Sequence, residues 1–141
     1  VFVDLDYNLN QDIREQIIDQ SDLIILNSSQ NYKSLKELKE NKENNKLLKS
    51  PRTLLLIGRY DKYSKYNVKN ITRYLGEKNK VLTIPYNTLY FEACNEAGVP
   101  DLFLKLKKMY DLDDRNAIFM EEIKRASENI IYRLQELQTI M

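Results

Sequence analysis

The polar side chains that could do chemistry in this sequence stand at the ends of short apolar runs. Such runs, without strict alternation of apolar and polar residues, indicate strands buried on both faces of a parallel sheet. Ligands of open α/β sheets bind beyond the carboxyl ends of the strands. The candidate site residues are therefore Asp4, Asp6, Asn27, Gly58, Arg59, Pro85, Tyr86 and Asn87.

The acidic pair Asp4 and Asp6 has more than one interpretation. A carboxylate at the end of a strand can accept hydrogen bonds from loop N–H groups and have no chemical role. Two acids at a strand end also fit a receiver domain, but a receiver needs a later phosphoacceptor Asp and a strand-end Lys. The later runs end in Asn27, Gly58 and Pro85, which excludes a receiver.

The residue types that the chain lacks exclude several kinds of active site. The sequence contains no histidine, so Ser-His-Asp and Cys-His nucleophilic systems and imidazole metal sites are excluded. Its glycines, Gly58, Gly76 and Gly98, are too far apart for a glycine-rich phosphate loop, which needs paired glycines within a few positions. Residues 1–141 therefore cannot hold a triphosphate by themselves.

The only cysteine, Cys94, cannot form an internal disulfide or a thiolate cluster. We expect Cys94 to be a small core residue, because no imidazole is present to activate it as a nucleophile. No apolar run approaches the roughly 18 residues of a membrane span, and we expect no signal peptide. These features predict a cytoplasmic protein with no membrane span.

The spacing of apolar residues predicts an α/β fold in one domain, residues 1–141. Strands are predicted at residues 1–3, 23–26, 53–57 and 81–84. Amphipathic stretches lie between them. We therefore expect an open, mostly parallel sheet with helices on both faces and a long C-terminal helix.

Helices are predicted where apolar residues recur every three or four positions. Ser34-x-x-Glu37 has the form of a capping box and predicts a helix over residues 34–48. A helical stripe that begins at Val68 stops at Gly76, which can adopt the left-handed conformation after a last turn. Further helices are predicted near residues 9–17, 89–97 and 102–110, and one long helix from residue 114. We expect the long helix to pack on the sheet, with a dimer or partner contact as the alternative.

Six segments follow one another along nearly the whole chain: VFVDLD, SDLIIL, LLIGRYD, YLG, LTIPYN and EAGVP. In this order they resemble the C-terminal half of the ParA/MinD deviant-Walker ATPases, including their pilus-assembly CpaE-like branch. The resemblance implies a P-loop NTPase-like fold that is incomplete here, with its phosphate-binding loop upstream. The chain also begins at Val1, without Met and inside an apolar run. We therefore expect it to be the C-terminal part of a larger ATPase domain.

The resemblance implies roles for the residues at the strand ends. Asp4 matches the family's Walker B aspartate, which holds Mg²⁺ through a water near the γ-phosphate. Asp6 adds a second acid beside it and is a catalytic candidate. The segment Pro85-Tyr86-Asn87 resembles the loop that walls the adenine pocket, and Arg59 either stacks on adenine or is solvated. The implied cofactors are ATP and Mg²⁺, both only with the upstream P-loop.

Two positions depart from the family's pattern. The family continues its first strand into a small switch that contains proline, whereas Leu5-Asp6-Tyr7-Asn8 follows here. Asp6 either strengthens the hold on Mg²⁺ or marks a degenerate switch. The third strand commonly ends in Asn-Arg or Asn-Lys, with the Asn on adenine, whereas this chain has Gly58-Arg59. The alternative function is therefore a non-catalytic α/β protein-interaction module with a degenerate nucleotide site.

The middle of the chain is basic, although the net charge of the whole is only +1. Residues 33–80 carry fourteen basic and five acidic side chains, with tyrosines interleaved. Lysines that match phosphates bind DNA without sequence preference, and ParA-like proteins are similar in using a basic surface on nucleoid DNA. A solvated face of mixed charge is the alternative. The candidate nucleic-acid contacts are Lys62, Lys65, Lys69 and Arg73.

Taken with the resemblance, these features imply a nucleotide-switched homodimer. Its ATP binding and hydrolysis would position DNA, a secretion or pilus complex, or another protein cargo. This stretch alone is not expected to hydrolyse ATP, because it lacks the phosphate-binding loop.

Overall fold

The computed structural model describes residues 1–5, 8–76, 81–108 and 114–140. Within these residues, three parallel strands form an open sheet in the order β1 (Ile24–Ser29), β2 (Thr53–Tyr60) and β3 (Val81–Pro85). The helices around it are α1 (Gln11–Gln20), α2 (Tyr32–Glu40), α3 (Lys42–Lys49), α4 (Val68–Leu75), α5 (Thr88–Asn95), α6 (Val99–Lys108) and α7 (Asp114–Ile140). The predicted α/β fold, with an open parallel sheet and a long last helix, is confirmed.

The core lies against the central strand, β2. Leu55 and Ile57 have no exposed surface, and the register of the sheet places Leu26 and Val81 on either side of Leu55. Leucines and an isoleucine from α2, α3 and α4 cover the same side chains: Leu35, Leu38, Leu48 and Ile71. Because β2 is buried by neighbours on both edges, its position and its carboxyl end are fixed by the core.

An asparagine caps each of the first five helices. In every case its side-chain oxygen accepts a hydrogen bond from a backbone N–H in the first turn, which otherwise lacks a partner. The caps are Asn10, Asn31, Asn41, Asn67 and Asn87.

The prediction of one helix over residues 34–48 is wrong. The segment forms α2 and α3, and Asn41 both ends the first and caps the second with an extended backbone, φ −69° and ψ 121°. Asn31 rather than Ser34 caps α2, since the Ser34 N–H donates to Asn31 Oδ1 at 2.9 Å. The short Asn side chain competes for backbone N–H groups and so favours a cap over a continuous helix.

Two predicted helix positions are confirmed. Helix α4 ends at Gly76, which has a left-handed backbone, φ 75°, and donates its N–H to the Thr72 carbonyl at 2.8 Å. This conformation suits glycine because it has no Cβ. The long helix α7 begins at Asp114, where the apolar stripe predicted it.

Helix α7 packs along β3, as expected. Phe119 and Ala126 are buried, and the Thr83 hydroxyl donates to Glu122 at 3.3 Å. Farther along α7, Arg133 donates to the Pro51 carbonyl, just before β2. Among the helices in the described ranges, none is both long enough and apolar enough to cross a membrane.

The predicted opening strand does not form. Residues 1–5 belong to no strand, and Val1, Phe2 and Val3 are exposed. A strand needs a hydrogen-bonded neighbour, and neither edge of the described sheet pairs with this segment. Asp4 is therefore exposed and does not end a strand.

We expect Leu55→Ala to lower the free energy of unfolding by about 2–5 kcal/mol, because it leaves a cavity under three helices. The matched control is Leu104→Ala on α6, where the side chain is 57% exposed; its cost should stay within about 0.5 kcal/mol. Urea unfolding followed by circular dichroism measures both. Equal losses would contradict the placement of the core at β2.

Candidate functional site

The end of β2 carries a β-bulge. Ile57 pairs with Thr83 and Tyr60 pairs with Pro85, so β2 has one residue more than β3 between these pairs. Arg59 lies inside the bulge with a left-handed backbone, φ 51°. This conformation costs a residue with a Cβ about 1–2 kcal/mol, and a bulge changes the direction of a side chain. Strand β2 is therefore strained at Arg59, one residue before it ends at Tyr60.

The guanidinium of Arg59 lies over the ring of Phe91, with Cζ 5.4 Å from the ring centroid. The ring of Tyr86 is 6.3 Å from that of Phe91, at an angle of 42°. Tyr86 is 54% exposed and Phe91 40% exposed, and Arg59 is exposed as well. We call these three side chains the aromatic surface. Exposed rings beside a guanidinium can stack on a flat ligand.

Pro85 and Asn87 hold the aromatic surface in place. Pro85 ends β3 opposite Tyr60, and the Tyr86 N–H donates to the Tyr60 carbonyl at 3.4 Å. Asn87 is buried: Oδ1 accepts from the Tyr90 N–H at 2.9 Å, and Nδ2 donates to Asn116 Oδ1 on α7 at 2.8 Å. Both ends of its amide are used within the fold, so Asn87 positions α5 against α7.

The structure brings Arg59, Pro85 and Tyr86 together at the carboxyl ends of β2 and β3, where the sequence predicted neighbours. Phe91 is a member that sequence reasoning missed. The signal that could have found it is its position one turn after the cap, where its N–H donates to the Asn87 carbonyl at 3.0 Å.

The acidic candidates are placed differently. Asp4 is exposed, and Asp6 lies outside the described residues. In the part of the chain that the structure covers, no group of three or more His, Cys, Asp or Glu side chains is placed to hold a metal ion. Asp4 alone offers one carboxylate, so the described residues do not by themselves form a Mg²⁺ site.

The four basic candidates form an exposed surface on α4 and on the loop before it. Lys62 and Lys65 lie over neighbouring tyrosines, with Nζ 5.1 Å from the Tyr63 ring centroid and 5.2 Å from that of Tyr66. The full set is Lys62, Lys65, Lys69 and Arg73. None of them forms an ion pair with another described residue. DNA binding here stays a prediction.

Residues 61–67, which we call the basic loop, are held at both ends by Gln30. Its Nε2 donates to the carbonyls of Asp61 and Tyr66, each at 2.8 Å, and its Oε1 accepts from the Asp61 N–H at 2.9 Å. On the α4 side, Asn70 Nδ2 donates to the Lys65 carbonyl at 2.7 Å. These side-chain hydrogen bonds give the loop a defined shape.

A groove of about 410 Å³ lies beside the basic loop, between α2 and α4. Its lining includes Tyr32, Tyr66, Tyr74, Leu35, Ile71 and Lys65, and we call it the tyrosine groove. The rings of Tyr32 and Tyr74 are 6.3 Å apart, and Lys39 Nζ is 4.3 Å from the Tyr74 ring centroid. Partial burial raises the pKa of the Tyr74 hydroxyl above its ordinary value, and the neighbouring Tyr32 raises it further.

The prediction that Cys94 is a core residue is wrong, since its side chain is exposed. Helix α5 turns the preceding residue, Ala93, to the core and Cys94 to the surface. A hydrogen bond with the Cys94 thiol raises the pKa of Tyr90, and partial burial raises it further. The Tyr90 ring packs on Phe119 and Phe103, at centroid distances of 5.4 and 6.1 Å.

Two surfaces near the carboxyl end of β2 thus carry the candidate residues. One is the aromatic surface, and the other is the basic loop with the tyrosine groove. Comparison of the chain with protein-family models, with curated proteins and with solved structures finds no match.

We expect Asn87→Ala to lower the free energy of unfolding by about 2–3 kcal/mol, because it removes a helix cap and the hydrogen bond that joins the buried Asn87 amide to Asn116 on α7. Asn10→Ala is the matched control: it removes an exposed cap whose oxygen accepts from the Asp12 N–H, and it should cost about 1 kcal/mol. Urea unfolding of both variants checks this. A loss no larger for Asn87→Ala than for Asn10→Ala would show that the link to α7 contributes nothing.

Proposed function

We propose that this chain forms the base-binding half of a ParA/MinD/CpaE-like ATPase, in which the adenine ring stacks on Arg59, Tyr86 and Phe91. The observation that supports it most directly is the exposed aromatic surface at the carboxyl ends of β2 and β3. That edge is where open parallel sheets bind their ligands. The phosphates are held by a glycine-rich loop in the sequence before Val1.

The chemistry of the aromatic surface suits a flat heterocycle. Two exposed rings and a guanidinium offer stacking and cation–π contacts. Gly58 supplies no side-chain amide to pair with the edge of the base. Stacking is therefore the main source of affinity for the base, and we expect weak discrimination between ATP and GTP.

The strain at Arg59 also supports the proposal. A residue with a Cβ and a positive φ persists only where the surrounding structure over-determines it, and such residues cluster at ligand sites. Here the bulge in β2 holds Arg59 at φ 51° and sets its guanidinium over Phe91.

The proposed Mg²⁺ site and the role of the complete protein rest on the resemblance to ParA/MinD/CpaE-like ATPases. Asp4, with Asp6 beside it, would accept a hydrogen bond from a water on Mg²⁺; the ion neutralises phosphate charge when bound. The complete protein acts in the cytoplasm as a homodimer that positions DNA, a secretion or pilus complex, or another cargo. Residues 1–141 alone have no ATPase activity, because the phosphate-binding loop precedes them.

The second candidate is a non-catalytic α/β module that contacts other proteins. Two observations favour it: Gly58 stands where the family has Asn, and Asp4 is exposed and lies outside any strand. A module of this kind binds no nucleotide, so one binding measurement separates the two functions.

The first test compares Arg59→Ala with Arg59→Gly in the protein that includes the residues upstream of Val1. Both variants remove the guanidinium and should weaken ATP binding about 2- to 30-fold, the range of a cation–π contact. Glycine adopts the left-handed backbone without strain, so Arg59→Gly should be more stable than Arg59→Ala by about 1 kcal/mol. Isothermal titration with ATP and Mg²⁺ measures binding, and urea unfolding measures stability.

Lys107→Ala, at an exposed position on α6, is the control and should bind ATP as the unchanged protein does. No heat of binding in the unchanged protein would contradict the ATPase proposal and favour the interaction module. Unaltered affinity in both Arg59 variants would remove Arg59 from the site.

The second test is Asp4→Asn, which keeps the size of the side chain and removes its charge. We expect ATP turnover of the complete protein to fall about 10- to 100-fold, the usual cost of losing a group that acts on a metal through its ligand. Asp12→Asn, in the first turn of α1, is the charge-matched control and should leave turnover unchanged. Turnover that survives Asp4→Asn would withdraw the role of Asp4.

A further inference from the structure

The basic loop and the tyrosine groove share Lys65 and Tyr66 and so form one continuous surface. We propose that this surface binds single-stranded nucleic acid, with basic side chains on the phosphates and tyrosine rings stacked on the bases. It uses none of the residues assigned to the nucleotide, so either proposal can fail without the other.

The charge of the surface calls for a polyanion. Lys62, Lys65, Lys69 and Arg73 are exposed and form no ion pair with another described residue. Lys39 adds a further cation, over the ring of Tyr74. Two acids lie nearby: Asp61 keeps its charge while its Oδ1 accepts from the Tyr63 N–H at 2.9 Å, and Glu40 pairs with Lys36. The cations of the surface outnumber them.

The rings of the surface are placed for stacking. Tyr63 is 85% exposed although its backbone lies in the loop that Gln30 holds. Tyr32 is also exposed, and its ring lies beside that of Tyr74 over the apolar floor of the groove. Aromatic rings that alternate with lysines are the features that bind successive bases and phosphates of a single strand.

The shape of the loop is set before any ligand binds. The Gln30 side chain bonds both ends of the loop, and Asn70 holds the Lys65 carbonyl. A loop that is already ordered loses less conformational entropy on binding, which favours affinity.

A single strand fits this surface better than a duplex or a lipid surface does. In a duplex the bases are stacked on one another, so the phosphates could engage the lysines but nothing would fill the groove. An anionic membrane would meet Lys62 and Tyr63 and leave the concave groove empty. The groove, about 410 Å³, lies within the roughly 300–1,000 Å³ of ligand pockets and can admit an unstacked base.

The test measures fluorescence anisotropy of labelled oligo(dT) and of a labelled duplex of equal length, between about 50 and 200 mM salt. Co-sedimentation with phosphatidylserine vesicles is the third arm. We expect the protein to bind oligo(dT) more tightly than the duplex and not to sediment with vesicles at physiological salt.

Two pairs of variants separate charge from stacking. Lys62→Gln with Lys65→Gln should weaken binding and reduce the slope of log K against log salt by about 1.4, which is two phosphate contacts on a single strand. The control pair, Lys105→Gln with Lys107→Gln, removes the same charge at exposed positions on α6. It should change neither the affinity for oligo(dT) nor the salt slope. Tyr63→Leu should weaken oligo(dT) binding about 5- to 150-fold, whereas Tyr63→Phe keeps the ring and should bind normally.

Circular dichroism first establishes that each variant is folded. No binding to oligo(dT), equal or tighter binding to the duplex, or binding to vesicles alone would overturn the proposal. Equal losses in Tyr63→Leu and Tyr63→Phe would overturn the stacking role. Arg59→Gly should bind oligo(dT) as the unchanged protein does. A loss of oligo(dT) affinity as large as that of Tyr63→Leu would show that the two surfaces are not independent.

Discussion

Burial of β2 between two parallel neighbours is the constraint on which both candidate surfaces depend. Leu55 and Ile57 are fully enclosed by side chains from α2, α3 and α4. A slip of one residue in the register would turn these side chains to the opposite face. The core therefore determines where β2 ends, and with it the position of the bulge at Arg59 and the start of the basic loop.

Amide side chains connect the elements around this strand. Gln30, just after β1, holds the loop that follows β2. Asn87, just after β3, holds α5 to α7. The Gln30 amide bonds backbone groups, and the Asn87 amide bonds Asn116 and the Tyr90 N–H, whereas the rings of Tyr63, Tyr86 and Phe91 are exposed. The amide side chains thus position the loops, and the exposed rings and cations are the groups that can contact a ligand.

Much of the fold could be predicted because buried parallel strands are continuous apolar runs, and three of the four predicted runs are strands. The opening run is equally apolar, but apolarity does not specify a pairing partner, and residues 1–3 have none in the described sheet. The capping box predicted at Ser34 is wrong because the cap of α2 lies three residues earlier, at Asn31, whose side chain accepts from the Ser34 N–H. Exposure of Cys94 depends on which side of α5 faces the core, and its short apolar stretch leaves that side ambiguous.

The candidate sites were partly predictable for a similar reason. Carboxyl ends of parallel strands meet at one edge, so the approach of Arg59 to Tyr86 followed from topology. A positive φ at an arginine has no sequence signature, and the bulge that produces it was not foreseen. The tyrosine groove depends on contacts between α2 and α4, which are distant in sequence, although Tyr66 and Tyr74 stand among the basic residues 33–80. The ATPase assignment and the roles of Asp4 and Asp6 stay predictions.

The asparagine caps have a consequence for how the protein tolerates acid. A carboxamide carries no charge and does not change its protonation in the range where Asp and Glu become neutral. Helices α1 to α5 all begin with such a group, and the chain has no histidine to become cationic below neutrality. Mild acidification therefore does not protonate the capping groups of these five helices, and their hydrogen bonds to the first-turn N–H groups do not depend on pH in that range.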